Sequence, residues 1–286
     1  AARGGLLYKA PKPGQDRRCR QPIIAADCFE AITTADVATF IHAHRRSRGL
    51  APKTANRYRE ILVRLFNWAE KHRGIRTPGG RNPAAKVERF AEPAPEIRYL
   101  TLEQIDEQLA ALADKPQLQA MVATYIYAGL RREELLWLRR EDVSLISTPP
   151  MIHVRAKTAG GDSWQPKTKR NRGVPISPDL AHFLCDYIPR PSTGGWYFPS
   201  PAGTRWDPDN FSQHLVAQNA LAGLNWTCLH FRHTFGSHLA QRGVSLFQIA
   251  TLMGNSPEIC RRHYAALQPE SLGQCVNFRH SVSRSA

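Results

Sequence analysis

A chain of 286 residues with 42% hydrophobic content carries enough apolar surface for one large folded domain or two ordinary ones. No apolar run is long enough to span a bilayer, and the opening Ala-Ala-Arg-Gly-Gly lacks the apolar stretch of a secretory signal, so a cytoplasmic protein is expected. The 39 Lys and Arg against 24 Asp and Glu leave a formal charge of +15, which favours a polyanionic partner, and the six cysteines form no CxxC pair or zinc-type spacing, so reduced, mostly buried thiols and no metal are expected.

Residues 1–26, rich in Pro, Gly, Arg and Lys, lack a sustained hydrophobic period and are expected to form an irregular basic arm. Val37, Phe40, Ile41 and His44 recur at helical spacing. Pro52-Lys53-Thr54 opens a second helical run with Tyr58, Leu62, Leu65, Phe66 and Ala69 on one face. Residues 27–90 therefore read as a small helical domain studded with arginines. Residues 1–95 hold 19 Lys/Arg and 8 Asp/Glu, a net of +11, so this third is the main electrostatic grip on nucleic acid, with Lys53 and Arg57 as candidate contacts.

The two prolines of Ala91-Glu92-Pro93-Ala94-Pro95-Glu96 mark a linker, taken as 91–97. Beyond it, Thr101 and Gln104 form a capping-box signature for a helix with Leu102, Ile105, Leu109 and Leu112. A helix from Gln117 to Ala128 is broken by Gly129, and another begins near Arg131. From Met151 to Ser177 the alternation of Ile152 and Val154 with polar residues, and Val174-Pro175-Ile176, predict a hairpin or small sheet. Helices return over Pro178–Tyr187, Asn210–Ala222, Phe231–Gln241 and Ser245–Met253, and Ser256 with Pro257 at the first position opens a last one. The region 98–270 is thus a second, mainly helical domain with a tail over 271–286.

Three separated segments stand out: Gly129-Leu130-Arg131-Arg132-Glu133-Glu134-Leu135, Leu229-His230-Phe231-Arg232-His233-Thr234-Phe235, and Leu252-Met253-Gly254-Asn255-Ser256-Pro257 followed by Arg261-Arg262-His263-Tyr264. Arg232 follows Arg131 by 101 residues and precedes Tyr264 by 32. Arginine forks onto two phosphate oxygens without losing its charge, and a phenol can act as a nucleophile on phosphorus. In order and spacing these motifs resemble the tyrosine recombinase, or phage integrase, family.

The resemblance implies roles residue by residue. Arg131 and Arg232 form the phosphate clamp, with Glu134 orienting Arg131, and Tyr264 is the nucleophile. Gln165-Pro166-Lys167-Thr168-Lys169-Arg170-Asn171-Arg172-Gly173-Val174-Pro175 is similar to the family's β-hairpin lysine segment, whose lysine lies eight residues before the proline. Lys167 is therefore the first choice for the acid on the 5′-oxygen leaving group, and Lys157 the second, with Lys169, Arg170 and Arg172 as phosphate contacts. The chain departs from the family pattern twice. The residue three before Arg232 is Leu229 where a histidine is usual, and the residue nine before Tyr264 is Asn255 where a histidine or tryptophan is usual. Asn255 is expected to donate to a phosphate oxygen. The general base stays unassigned between water, the arginine field and a repositioned His230, and His233 reads as a structural hydrogen-bonding residue.

The resemblance implies a two-domain DNA clamp, mainly α with a small antiparallel β-sheet. It also implies strand cleavage through a 3′-phosphotyrosyl link without cofactor, ATP or Mg²⁺, and a homotetramer on double-stranded DNA bearing two recombination sites. Two rivals remain at this point. A type IB topoisomerase uses the same chemistry to relax supercoils, and the helices flanking Arg242-Gly243-Val244 could instead be the helix-turn-helix of a non-catalytic regulator.

Overall fold

A computed structural model describes residues 24, 26–93 and 97–268, which divide into a unit ending at residue 94 and another beginning at 95. The proposed arm and the 271–286 tail lie outside the described residues, apart from residues 24 and 26.

The first unit is built on two helices, α1 (Thr34–Arg48) and α2 (Pro52–Arg73). Thr33 and Asp36 close a capping box on α1, Gly49 ends it in the left-handed conformation, and Pro52 occupies the first turn of α2. Val37, Phe40 and Ile41 of α1 meet Ala55, Leu62 and Phe66 of α2 in a core closed by Ala84 and Val87. Asn56 is buried yet satisfied: its amide donates to Phe90 O at 2.9 Å, and its oxygen accepts from Phe90 N at 2.9 Å. Lys53 and Arg57 stay exposed on α2, the latter 3.6 Å from Glu60.

The second unit contains α3 (Leu102–Ala110), α4 (Pro116–Ala128), α5 (Arg132–Leu136), α6 (Pro178–Asp186), α7 (Pro208–Leu221), α8 (Cys228–Gln241), α9 (Leu246–Met253) and α10 (Pro257–Tyr264). Among these α4 is apolar on almost every face and accordingly buried, packing against α6 and α8. Strands β1 (Val143–Ser144), β2 (Met151–Val154) and β5 (Arg172–Pro175) form an antiparallel sheet in the order β1-β2-β5, while β3 (Lys157–Ala159) and β4 (Asp162–Trp164) make a separate hairpin. Ile152 pairs with Val174 and both face the core, which fixes the register and sets Arg172 opposite Val154. The mainly helical fold with a small antiparallel sheet matches the sequence reading, although the β region is two sheets.

Several boundaries differ from expectation. Helix α3 stops at Ala110, leaving Leu112 buried in the following turn. Asp207 caps α7 through Asp209 N and Asn210 N, so the helix starts at Pro208. Thr227 starts α8 at Cys228, three residues earlier than expected, which places Leu229 and His230 in its first turn. The thiols also differ: Cys260 is buried and Cys228 partly so, but Cys28 and Cys185 are exposed. Among the described residues no helix is long and apolar enough to cross a membrane.

Candidate active site

Gly129 ends α4 in the left-handed conformation, turning the chain so that Arg131 becomes the N-cap of α5. Glu134, one turn on, is 1% exposed and works in two directions. Its Oε2 accepts from the Arg131 backbone N–H at 2.7 Å and its Oε1 from the Arg131 guanidinium at 2.8 Å. Arg172, at the start of β5, donates to the same carboxylate from Nη1 at 3.0 Å and Nη2 at 2.7 Å, and its Nε donates to Leu252 O at 2.8 Å. Burial alone would raise the Glu134 pKa; the Arg172 and Arg131 contacts outweigh it and hold the carboxylate below its ordinary value.

Arg232 projects from α8 into the interior and is 8% exposed. Its guanidinium donates to Gly129 O, to Met253 O at 2.7 Å and to Asn255 Oδ1 at 2.9 Å. Burial, then the charge of Arg131, bring its pKa down to about 10, so it stays cationic at neutral pH. Arg131 Nη2 donates to Gly254 O and, at 2.8 Å, to the same Asn255 Oδ1. The turn between α9 and α10 thus fastens both arginines, and Asn255 bridges them. Burial raises the Cys260 thiol pKa, and Asn255 acts against that rise. Asn255 Oδ1 accepts from both guanidiniums.

Tyr264 closes α10 among Ala240, Ile249, Met253 and Cys260 and is 1% exposed. Its ring lies so close to Gly236 of α8 that a Cβ there would sit 2.5 Å from Cζ, and its hydroxyl is 3.0 Å from His233 Nδ1. Burial drives the phenol pKa up, and the Arg232 charge acts in the opposite sense. His233 is itself brought down to about 4 by burial and by the neighbouring His263, Arg232 and His230.

The structure brings Arg131, Glu134, Arg172, Arg232, Asn255, His233 and Tyr264 into one cluster. His230 Nδ1 accepts from Thr227 N at 3.2 Å, so in this structure the imidazole caps α8. Arg172 was expected to meet DNA, yet its side chain is 7% exposed and is taken up by Glu134. Lys167, Lys169 and Arg170 remain exposed on the loop between β4 and β5, where Lys169 N donates to Pro166 O at 2.7 Å and Lys169 takes a positive φ of 55°. Lys157 is buried instead, 3.0 Å from Asp142. Burial lowers its pKa, and Asp142 opposes the shift.

Sequence reasoning missed the carbonyls of Met253 and Gly254, Asp142 as partner of Arg155 and Lys157, and Gly236. A glycine inside a helix disfavours that helix, so Gly236 was itself a signal of close approach. An open cavity beside the cluster is lined by Arg131, Arg132, Thr227, Leu229 and Arg232, which leaves both arginines reachable from one side. Among the described residues no group of three or more His, Cys, Asp or Glu could hold a metal ion. The chemistry available is anion binding by two fixed guanidiniums beside a phenol.

The chain is similar to known proteins in both sequence and fold. The tyrosine recombinase XerD of Caulobacter vibrioides is 30% identical over 253 residues, covering 83% of this chain and 78% of its own. The integrase of Escherichia phage P2 is 25% identical over 251 residues, covering 88% and 66% respectively. In fold, the chain is similar to the Tn1549 transposon integrase solved with a circular intermediate DNA, with a TM-score of 0.66, 20% identity and 83% and 82% of the two chains covered. It is also similar to a lambda integrase dimer bound to a COC′ core site, with a TM-score of 0.62, 17% identity and coverage of 82% and 80%. The sequence model of the phage integrase family matches residues 98–271, and this chain belongs to that family.

Proposed function

We propose that this protein is a site-specific DNA recombinase that cleaves and rejoins strands through a 3′-phosphotyrosyl intermediate. The observation that carries this reading is the Asn255 bridge: one side chain holds Arg131 and Arg232 together while Arg232 acts electrostatically on the Tyr264 phenol. Two fixed guanidiniums stabilise charge on the non-bridging oxygens as phosphorus becomes five-coordinate, with no reorganisation at the moment of reaction. Tyr264 Oη attacks, the 5′-oxygen leaves, and the free 5′-hydroxyl of a partner strand later attacks the phosphotyrosyl bond. Bond energy is retained in the link, so neither ATP nor a metal ion enters the scheme.

The exposed loop that carries Lys167, Lys169 and Arg170, together with Lys53 and Arg57 of the first unit, supplies contacts to the duplex. In this reading the two units close on DNA as a clamp and four copies act on two sites, as the family resemblance implies. Lys167 protonates the leaving oxygen, and Lys157, buried against Asp142, is the alternative acid. A substrate whose bridging 5′-oxygen is replaced by sulfur separates them, because a thiolate leaves without a proton. The variant of the true acid regains cleavage on that substrate, and the other does not.

The decisive experiment uses a pool of nicked duplexes with a randomised core, which traps covalent protein–DNA adducts. Wild type gives adducts whose DNA reveals the target, while Tyr264→Phe binds the recovered sequence and forms none. An adduct with Tyr264→Phe, or none with wild type, overturns the reading.

A further inference from the structure

Proton removal from Tyr264 has no obvious agent among the family-pattern positions of this chain. Leu229 holds no titratable group, His230 is engaged as a helix cap, and Asn255 cannot accept a proton near neutral pH. One imidazole nevertheless touches the nucleophile: His233 Nδ1 lies 3.0 Å from Tyr264 Oη, within the reach required of a general base. The contact is set by two helices, α8 carrying His233 and α10 carrying Tyr264, and by Gly236, one turn beyond His233, whose missing side chain lets the ring approach.

We infer that His233 takes the phenolic proton of Tyr264 as that oxygen attacks the scissile phosphate, a step that rests on the strand-transfer reading above. The Oη–P bond forms and the P–O5′ bond breaks. The Oη proton passes to Nδ1, giving an imidazolium, while the departing 5′-oxygen takes its proton from the lysine acid. In rejoining, the imidazolium returns the proton to Oη as the phosphotyrosyl bond breaks. His233 is therefore a catalytic residue of this chain, doing work that the residue three before Arg232 cannot do here.

The surroundings make the imidazole a neutral acceptor in the resting protein. Arg232 and His230 of α8 and His263 of α10 face it with positive or potentially positive charge, and Tyr264 and Cys260 are the other titratable groups of α10 near it. Of the other elements packed on α8, α9 and the turn over 265–267 have no titratable residue, and α4 has only Tyr125 and Tyr127, with no charged side chain. Before DNA binds, the proton stays on the phenol, because a raised phenol faces a depressed imidazole. A phosphate on Arg131 and Arg232 adds negative charge that favours the imidazolium, and the phenol becomes acidic as its oxygen bonds to phosphorus. The nucleophile is thus activated by its own substrate.

The test measures single-turnover cleavage of the DNA recovered from wild-type adducts, across pH 6–9, for wild type, His233→Ala, His233→Gln and Tyr264→Phe. Glutamine can keep a hydrogen bond to Tyr264 but cannot take its proton. Both His233 variants should bind DNA and melt near wild type yet cleave on the order of 10²–10⁴-fold more slowly. Their rates should climb with pH as hydroxide replaces the missing base, and added imidazole should restore part of the His233→Ala rate. Wild-type cleavage should be nearly flat over the same range. A His233→Gln enzyme that cleaves like wild type, or a His233→Ala profile parallel to wild type, overturns the assignment. A covalent adduct with Tyr264→Phe instead sinks the strand-transfer reading, whatever the His233 variants do.

Discussion

Arg172 sets both arms of its guanidinium on the Glu134 carboxylate, at 3.0 and 2.7 Å, with 7% and 1% of the two side chains exposed. The same carboxylate holds Arg131 by backbone and side chain, so Arg172 positions the phosphate clamp through an intermediary. Removing one partner leaves a buried charge uncompensated. Arg172→Ala should therefore lower the unfolding free energy by about 3–5 kcal/mol in denaturant titration. Arg172→Lys should recover little, because an ammonium cannot fork onto both oxygens. Adding Glu134→Gln to Arg172→Ala should regain stability but not cleavage. A double variant that cleaves like wild type would show that the network serves folding alone.

Acid should unfold the second unit in two stages. His233 has its pKa lowered from an ordinary 6.5 to about 4, so the unfolded chain binds this proton first. Its contribution is present above pH 6.5 and is lost as pH falls toward 4, on the order of 1–2 kcal/mol once solvent screening is allowed for. Glu134 also has a lowered pKa, so its contribution stands above its ordinary value of 4.5 and disappears only below that. Equilibrium unfolding between pH 7 and 3 checks this. His233→Gln should flatten the upper stage and leave the lower one.

Gly236 gives a local test of the nucleophile's seat. A methyl group there would meet Tyr264 Cζ at 2.5 Å and Oη at 2.8 Å, distances that force the ring to move. Gly236→Ala should keep DNA affinity within about twofold and slow cleavage at least tenfold, since about 1.4 kcal/mol of lost alignment already corresponds to a factor of ten. Wild-type cleavage by this variant would mean that Tyr264 reacts from another position.

How far these assignments were legible in the sequence varies with the kind of residue. Arg131, Arg232 and Tyr264 sit in motifs of fixed order, and the start of α10, which carries Tyr264, announces itself by Ser256 with Pro257. Arg172 was misread because it follows Lys167, Lys169 and Arg170 in one basic run. Only the β2–β5 register, with Val154 opposite Arg172, shows that the last member turns inward. The Asn255 and His233 contacts join residues 124 and 31 positions apart, separations at which no local pattern reports a hydrogen bond. Carbonyl acceptors such as Met253 O carry no residue signature at all.

Asn255 should answer to charge as well as to hydrogen bonding. Asn255→Ala deprives two guanidiniums of a shared acceptor and should slow cleavage by roughly 10–100-fold, as loss of about 1.5–3 kcal/mol from bonds to charged groups implies. Asn255→Asp keeps the acceptor but sets a negative charge between the arginines. It should fold as stably as wild type and yet bind DNA more weakly and cleave more slowly than wild type. Equal cleavage by wild type and the aspartate variant would show that the clamp's net charge is irrelevant.

Leu229 and His230 should separate the two jobs a histidine could do at the mouth of the clamp. Leu229 is 60% exposed and lines the same cavity as Arg131 and Arg232, so Leu229→His puts an N–H donor where phosphate would lie. His230 accepts from Thr227 N, so His230→Ala should remove about 1 kcal/mol of helix capping while leaving cleavage near wild type. Because His233 already handles the Tyr264 proton, Leu229→His should raise the cleavage rate severalfold without changing the shape of its pH profile between 6 and 9. In a His233→Gln background the same substitution should raise the rate by a similar factor and leave the slope with pH intact. If instead Leu229→His abolishes that slope, the imidazole at 229 is acting as a base. The proton path in this chain would then run through the outer face of α8 and not through the Tyr264–His233 contact.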